Sequence, residues 1–369
     1  VYRGYATVAL RRKDYKNAII YGQRALKIYD TDLETILIMA KAHLGLREFQ
    51  EAQRYAGRAT ELDYSSIEAQ SVYAKAETGV RGIESGTLYI QSLINRYVVT
   101  KNQQVPQAAI DLRVTLGEIY MQDEKFKQAE EAFRQAIALD PDNKPALIGL
   151  AGSLQSQSFA TQSLEMFLKA AVLDPSDADP IYRSGQLYLE VGKLTEAIRQ
   201  FERVLKINSR YPLGHVALGR VYLRQGDSKR ALEEAMKERE NNPNLADAYV
   251  LAAESHFMQK QYSNCAAEYQ KASMQMRSAS IYIRMARCSR LSGSVDAAQS
   301  LLRQAQSIES GNPDLYKEQG AIFQTKGMAD EAIAAYDQYL NLVGPGAPDR
   351  AEVEGRIRQV RSGNTEVGE

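Results

Sequence analysis

The residue types that most often carry out catalysis or bind metals are scarce in this chain. Among its 369 residues there are only three histidines, His43, His215 and His256, and two cysteines, Cys265 and Cys288. The sequence contains no G-x-x-x-x-G-K loop, no H-E-x-x-H, no G-x-S-x-G and no C-x-x-C. The histidines are too far apart in sequence to suggest a metal-ligand set, so we expect them to pack in or beside the core. We therefore predict no catalytic residue, no cofactor and no metal site, and a chain that is not an enzyme.

Composition narrows the classes of partner. The chain has 46 basic and 46 acidic residues, so its net charge is zero and gives no overall attraction for nucleic acid. No run of 18 apolar residues occurs, which argues against insertion of this region into a membrane.

Small residues recur along the chain at an interval close to 34 residues. One ladder holds Ala, Gly, Ser or Cys at positions Ala18, Ala52, Gly86, Ala129, Ser163, Ala197, Ala231, Cys265, Ala298 and Ala332. A second ladder holds only Ala or Gly at positions Ala6, Ala40, Ala74, Gly117, Ala151, Gly185, Gly219, Ala253, Ala286 and Gly320. Small side chains let two helices approach closely, so this period predicts ten units with one ladder on each helix of a pair.

The stretch Arg113–Pro141 shows the unit most clearly, with Leu116-Gly117, Tyr120, Ala129, Phe133 and Asp140-Pro141 at fixed spacing. This pattern resembles the tetratricopeptide repeat, a helix–turn–helix unit of about 34 residues. The resemblance implies an all-α fold, a right-handed superhelix (α-solenoid) of about ten repeats. One pair cannot bury its apolar face alone, so each repeat needs its neighbours.

The interval of 43 residues between Gly86 and Ala129 divides the array. We predict repeats one to three over residues 1–104, with an irregular third repeat that Gly79, Gly82 and Gly86 loosen, followed by an insertion around Tyr97–Pro106. Repeats four to ten are predicted over residues 105–346, a capping helix over 347–361 and a disordered tail over 362–369. Because Val1 stands inside a repeat helix, we also expect an upstream segment, and the compartment stays open between cytoplasm and periplasm.

The two cysteines allow two interpretations. Cys265 occupies a small-residue ladder position, which favours a buried, inert thiol. Cys288 falls on the first helix of the next repeat and could lie near it, and a disulfide would form only in an oxidising compartment.

The resemblance also predicts where a partner binds, because first-helix residues outside the ladders line the concave groove of such repeats. The chaperone-tail clamp of the family needs asparagines that are missing here. In repeats six to ten the groove positions carry five basic and two acidic residues. The predicted partner-binding residues are Tyr182, Arg220, Arg224, Glu254, Phe257, Arg287, Arg290 and Lys317. A row of arginines suits an extended or helical segment with carboxylates; the alternative is a solvated face with salt bridges between repeats.

The sequence thus favours a non-enzymatic scaffold for protein–protein interaction. The alternative is a substrate-selecting arm of an enzyme whose catalytic domain lies outside this chain. Residues 242–247, 317–320 and 347–350 are similar to bacterial repeat proteins of envelope machines for gliding motility or pilus assembly. That resemblance implies a role in such an assembly but assigns no site residue.

Overall fold

The computed structural model describes residues 1–98 and 107–363, and these residues form 21 α-helices and no strand. The helices are α1 (Tyr2–Arg11), α2 (Tyr15–Leu26), α3 (Leu33–Gly45), α4 (Phe49–Leu62), α5 (Ile67–Arg81), α6 (Ile83–Val98), α7 (Gln107–Gln122), α8 (Phe126–Leu139), α9 (Lys144–Ser156), α10 (Ala160–Leu173), α11 (Ala178–Glu190), α12 (Leu194–Ile207), α13 (Gly214–Arg224), α14 (Ser228–Asn241), α15 (Ala246–Met258), α16 (Tyr262–Gln275), α17 (Ala279–Leu291), α18 (Val295–Ile308), α19 (Pro313–Thr325), α20 (Ala329–Leu342) and α21 (Arg350–Arg361).

Within each unit consecutive helices pack in pairs, from α1 with α2 to α9 with α10 in the first and from α13 with α14 to α19 with α20 in the second. Helix α21 follows as a single helix that contacts α20. The prediction of an all-α repeat fold with about ten helix pairs and a C-terminal capping helix is confirmed. The chain forms two compact units, Val1–Arg183 and Ser184–Glu369. The predicted division near residue 104 stays a prediction.

Polar side chains and prolines fix several helix starts. Asn143 accepts a hydrogen bond from the backbone N–H of Ala146, and Asp227 accepts one from the N–H of Arg230. Each bond satisfies a backbone donor that has no partner within its own helix. Pro145 and Pro313 stand in the first turns of α9 and α19, where a missing N–H costs nothing. These local signals determine where α9, α14 and α19 begin.

The two ladders of small residues lie in the core, and every one of their twenty positions is buried. The second helix of a repeat often fills the space beside its ladder with a large side chain. Phe133 is an example: it is fully buried, and its ring packs against Gly117 of its own repeat and Gly149 of the next. A Cβ at either glycine would come within 2.6 Å of that ring. The glycines are therefore needed for close approach of three helices.

The third repeat contains glycines at Gly79, Gly82 and Gly86. Gly79 lies within α5 against the ring of Phe49, and Gly86 lies within α6 against Thr78; neither site has room for a Cβ. These two glycines permit close contacts, and the expectation that glycines loosen the third repeat stays a prediction. Gly82 has φ +94° and separates the two helices, a conformation that suits glycine. Most of the predicted insertion, residues 99–106, lies outside the described residues.

The last helix, α21, covers the end of the second unit. Its buried residues Val353, Ile357 and Val360 belong to one apolar cluster with Tyr336 and Tyr339 of α20. The predicted capping helix over 347–361 is observed as Arg350–Arg361. Most of the predicted disordered tail, residues 364–369, lies outside the described part of the chain.

Candidate partner-binding site

Five of the eight predicted groove residues line one cavity of the second unit, with a volume of about 460 Å³. They are Glu254, Phe257, Arg287, Arg290 and Lys317, and they belong to the first helices α15, α17 and α19. We call this cavity the first-helix pocket. Its volume falls within the range of roughly 300–1,000 Å³ that is common for ligand sites.

The other three predicted residues lie elsewhere. Tyr182 belongs to the first unit. Arg220 and Arg224 lie on α13 of the second unit but do not line the pocket. Arg220 pairs with Asp247 at 2.7 Å, and Arg224 donates to the backbone carbonyl of Leu189 at 2.8 Å.

Nine further residues line the pocket, of which Leu223, Met258 and Ile283 stand at predicted groove positions and the other six do not. Five helices and the cap contribute the further residues Leu223, Met258, Tyr269, Ile283, Arg284, Cys288, Asp314, Glu318 and Arg356. The helical period could have predicted some of these residues, because Arg284 lies one turn before Cys288 on α17 and Glu318 follows Lys317 on α19. It could not have predicted Arg356, because α21 has no counterpart in the repeat pattern. Helix α21 therefore supplies a basic residue to the site as well as closing the core.

Ion pairs between successive repeats neutralise most of the predicted row of cations. Arg290 pairs with Glu318 at 2.6 Å, and both side chains are less than a tenth exposed. Lys317 contacts Asp349 at 2.8 Å and Glu352 at 3.2 Å, where Glu352 also pairs with Arg356. These contacts agree with the alternative in which basic groove residues form salt bridges between repeats.

Glu254, the predicted acidic member of the groove, pairs with Arg284 of the next first helix. Tyr269 lies beside them, and burial raises its pKa to about 12, with Glu254 adding to the effect. The phenol therefore stays protonated at neutral pH and keeps a hydrogen-bond donor at the wall of the pocket.

Arg287 is the exception among the pocket cations. Its guanidinium carbon lies 4.9 Å from the centre of the Phe257 ring, in cation–π geometry. In the described ranges, no carboxylate lies within 4.0 Å of Arg287 to form an ion pair. The side chain is partly exposed. Arg287 can therefore offer its planar donor fork to a ligand without breaking an internal salt bridge.

Asp314 is the matching exception among the carboxylates. It stands in the first turn of α19, is exposed and lines the pocket, and no ion pair to it forms within residues 1–98 and 107–363. Its place at a helix start agrees with the stabilising role of a carboxylate near the N-terminal dipole. Its negative charge makes the α19 side of the pocket unfavourable for a negatively charged group of a ligand.

A disulfide joins Cys265 of α16 to Cys288 of α17, with 5.9 Å between the two Cα atoms. The expectation of an inert thiol at Cys265 is wrong, because the stacking of successive repeats places the next first helix within bonding distance of the ladder position. Cys288 lines the pocket directly beside Arg287. The covalent link thus ties the helix that carries Arg287 to the second helix of the preceding repeat.

The three histidines each have a side-chain partner for Nδ1. His43 lies 2.6 Å from Glu48, His215 lies 2.6 Å from Glu234, and His256 lies 2.7 Å from Gln261.

Within the described ranges, no group of three His, Cys, Asp or Glu residues is arranged to hold a metal ion. Those ranges also hold no helix with the length and apolar character needed to cross a bilayer.

The fold and the pocket together define a class: a helical repeat protein whose first helices present a ligand-accessible face. Family models give the class its name. Residues 111–143 and 216–275 match models described as tetratricopeptide repeat, and residues 185–226 match one described as TPR repeat. Residues 111–143 and 185–275 of the chain therefore match tetratricopeptide repeats.

Curated relatives match only in part. The chain is 30% identical over 109 residues to a protein of Hordeum vulgare named probable UDP-N-acetylglucosamine–peptide N-acetylglucosaminyltransferase SPINDLY, covering 30% of this chain and 11% of the relative. It is 24% identical over 206 residues to human mitochondrial import receptor subunit TOM70, covering 53% of this chain and 34% of the relative. The chain thus spans about a tenth of the first relative and about a third of the second.

Solved structures resemble the fold. A tetratricopeptide repeat protein from Parabacteroides merdae has a TM-score of 0.57 at 15% identity, covering 68% of this chain and 98% of that one. Yeast Tom70 has a TM-score of 0.51 at 13% identity, covering 98% and 95%. PilW, described as a type IV pilus biogenesis factor, has a TM-score of 0.51 at 18% identity, covering 56% and 96%. At these identities the likeness shows the fold alone.

Proposed function

We propose that this chain is a non-enzymatic scaffold that binds a segment of a partner protein on the first helices of its second unit, centred on the first-helix pocket. One observation carries the proposal. The pocket places Phe257 and Met258, which remain partly exposed, beside Arg287, a cation without an ion-pair partner in the described part of the chain. Exposed apolar surface next to an available donor fork is the combination that interface anchors use.

Magnitudes favour the apolar contacts as the source of affinity. Burying a side chain such as Phe or Met contributes about 1.5–3 kcal/mol. An exposed ion pair contributes roughly 0.2–1 kcal/mol. A micromolar complex needs about 8 kcal/mol, so several apolar contacts must combine with the charge. This requirement favours a segment long enough to contact more than one first helix.

The proposed partner is an extended or helical protein segment with acidic character. This acidic character rests on Arg287, because Arg290 and Lys317 already pair with carboxylates of neighbouring elements and Arg356 pairs with Glu352 of its own helix. The balanced composition of the whole chain continues to disfavour nucleic acid.

Site-specific cross-linking tests the location of binding. A photo-reactive amino acid replaces Met258, which is 46% exposed and lines the pocket. A matched variant carries the same group in place of Met236, which is 50% exposed but lies on the second helix α14. We expect the residue-258 variant to link to a defined partner segment, identified by mass spectrometry, and the residue-236 variant not to. Equal yields at both positions, or linkage at 236 alone, would exclude the pocket as the binding site.

A bacterial envelope or motility assembly is the proposed setting, supported by the sequence resemblance of residues 242–247, 317–320 and 347–350. The structural likeness to PilW adds agreement in fold only. The partner found by cross-linking at residue 258 decides this point. A partner that belongs to no such assembly would remove the envelope role and leave the scaffold role intact.

The enzyme-arm alternative draws on the curated relatives named as N-acetylglucosaminyltransferases, which match over a minor part of their length. In that case the first-helix pocket would select substrates for a catalytic domain on the same polypeptide. Sequencing the intact polypeptide separates the two, since an attached glycosyltransferase domain would establish the arm.

A further inference from the structure

Resting on the proposed function, we infer that the first-helix pocket recognises one carboxylate, adjacent in the partner to a large apolar side chain, and that Arg287 alone reads the carboxylate. This is narrower than a general attraction for acidic segments. It follows from which charges the fold has already satisfied.

Most cations of the pocket are not available to a ligand. Arg290 and Glu318 are mutually paired and buried, so drawing Arg290 toward a ligand would leave a buried carboxylate without its partner. Lys317 and Arg356 share the carboxylates of Asp349 and Glu352 on the cap side. Arg284 pairs with Glu254. Each of these residues would have to exchange an internal partner for the ligand, which reduces any net gain.

Arg287 is the cation that is available. It rests on the Phe257 ring at 4.9 Å, and Phe257 also makes an edge contact with Tyr262 at 5.6 Å between ring centres. The ring contacts the guanidinium, while its donors pair with no carboxylate among the described residues. The disulfide at Cys288 restrains the same turn of α17. A restrained donor fork loses little freedom when a carboxylate binds.

The surroundings of Arg287 set what accompanies the carboxylate. Met258 and Leu223 present apolar surface on α15 and α13, so an apolar side chain of the ligand has a place to pack. Asp314 on α19 carries an unpaired negative charge within the described residues and disfavours a second ligand carboxylate. The pocket therefore selects one acidic residue next to an apolar anchor, and not a run of acids.

The probe is a phage-displayed library of random twelve-residue peptides, selected on the whole chain. We expect enriched peptides to share a single Asp or Glu within two positions of Phe, Leu or Met. A synthetic enriched peptide is then compared with its isosteric Glu→Gln or Asp→Asn form. The acidic form should bind wild-type chain about 5- to 10-fold tighter, since a hydrogen bond to a charged group adds about a factor of ten.

Two arginine variants assign the preference. Arg287→Gln should bind both peptide forms equally, whereas Arg303→Gln, at an exposed arginine of the second helix α18 that does not line the pocket, should keep the full preference. Circular dichroism checks that both variants fold. The wild-type comparison needs no variant, so the inference can fail even where Arg287→Gln does not fold.

The outcomes separate the inference from the proposed function. Peptides that block cross-linking at residue 258 yet bind equally in acidic and amide form would overturn the inference and leave the site in place. The inference is also overturned if the preference survives in Arg287→Gln, or if enriched peptides are basic or carry acidic runs. Peptides that do not compete at residue 258, or a library without enrichment, would count against both.

Discussion

Arg290 and Glu318 form an ion pair at the base of the first-helix pocket, with Nε of the arginine 2.6 Å from Oε1 of the glutamate. Their side chains are only 4% and 9% exposed, and 28 positions separate them in sequence, so the pair joins α17 to α19. Arg290 was predicted as part of a binding row. In the fold it is a structural partner, and a charge reversal there would test stability before it tested binding.

Breaking this pair on one side should therefore destabilise the second unit. Removing one member of a buried ion pair leaves the other charge without compensation, which costs about 3–5 kcal/mol. We expect Arg290→Met to lower the free energy of unfolding by that amount, as measured by equilibrium unfolding in urea. The double variant Arg290→Met/Glu318→Leu should recover most of the loss, because it removes both charges. Equal stability of the single variant and wild type would show that the pair carries no weight.

The disulfide predicts a second stability effect. A link that closes the 23-residue separation between Cys265 and Cys288 stabilises by about 3 kcal/mol through restriction of the unfolded chain. Reduction with dithiothreitol should lower the urea midpoint of wild type and leave that of Cys265→Ala/Cys288→Ala unchanged. Alkylation of the unreduced, denatured protein followed by mass spectrometry provides the control. Two alkylated cysteines before reduction would show that the bond is not formed.

Two glycines of α9 should respond in opposite directions to alanine. At Gly149 a Cβ would lie 2.3 Å from the ring of Phe133, so Gly149→Ala should overpack the core and cost about 1–3 kcal/mol. At Gly152 the nearest atom is Cε of Met121 at 3.7 Å, an ordinary contact. Gly152→Ala should stabilise by about 0.5–1 kcal/mol, since alanine loses less backbone freedom in a helix. Thermal unfolding of the pair measures both, and a stabilising Gly149→Ala would contradict the close packing.

Acid should weaken the second unit through Glu234. Its carboxylate is buried, which raises the pKa, but hydrogen bonds from His215 and Lys237, each at 2.6 Å, lower it below the ordinary value of 4.5 overall. A folded pKa below the unfolded one adds stability that is present above pH 4.5 and is lost as pH falls through the folded pKa. Glu234→Gln should therefore flatten the decline of the urea midpoint as the pH falls below 4.5.

Glu233→Gln, at the exposed neighbouring glutamate, is the matched control and should keep the wild-type decline. If both variants follow the wild-type curve, Glu234 is not the group that responds.

The sequence by itself determined the repeat architecture. Small residues at Ala6, Ala18 and their counterparts recur with the period of the unit, and helix pairs can stack only where such residues let backbones approach. The two ladders together were therefore sufficient to place α1 to α20 and to identify the buried face. The apolar face of Val353, Ile357 and Val360 was sufficient for the cap.

Tertiary structure alone decided which charges remain available. Three ion pairs join positions that lie 27, 28 and 32 residues apart, namely Arg220–Asp247, Arg290–Glu318 and Lys317–Asp349. Because these separations differ, no single sequence spacing predicts the pairs. Long side chains reach their partners through rotamers and helix offsets that the ladders do not encode. The same holds for the bond between Cys265 and Cys288 and for the contribution of Arg356. Periodicity determines which helices are neighbours. The side-chain geometry between those helices determines that Arg287, among the described basic residues of the pocket, has no carboxylate partner and is available to a bound protein.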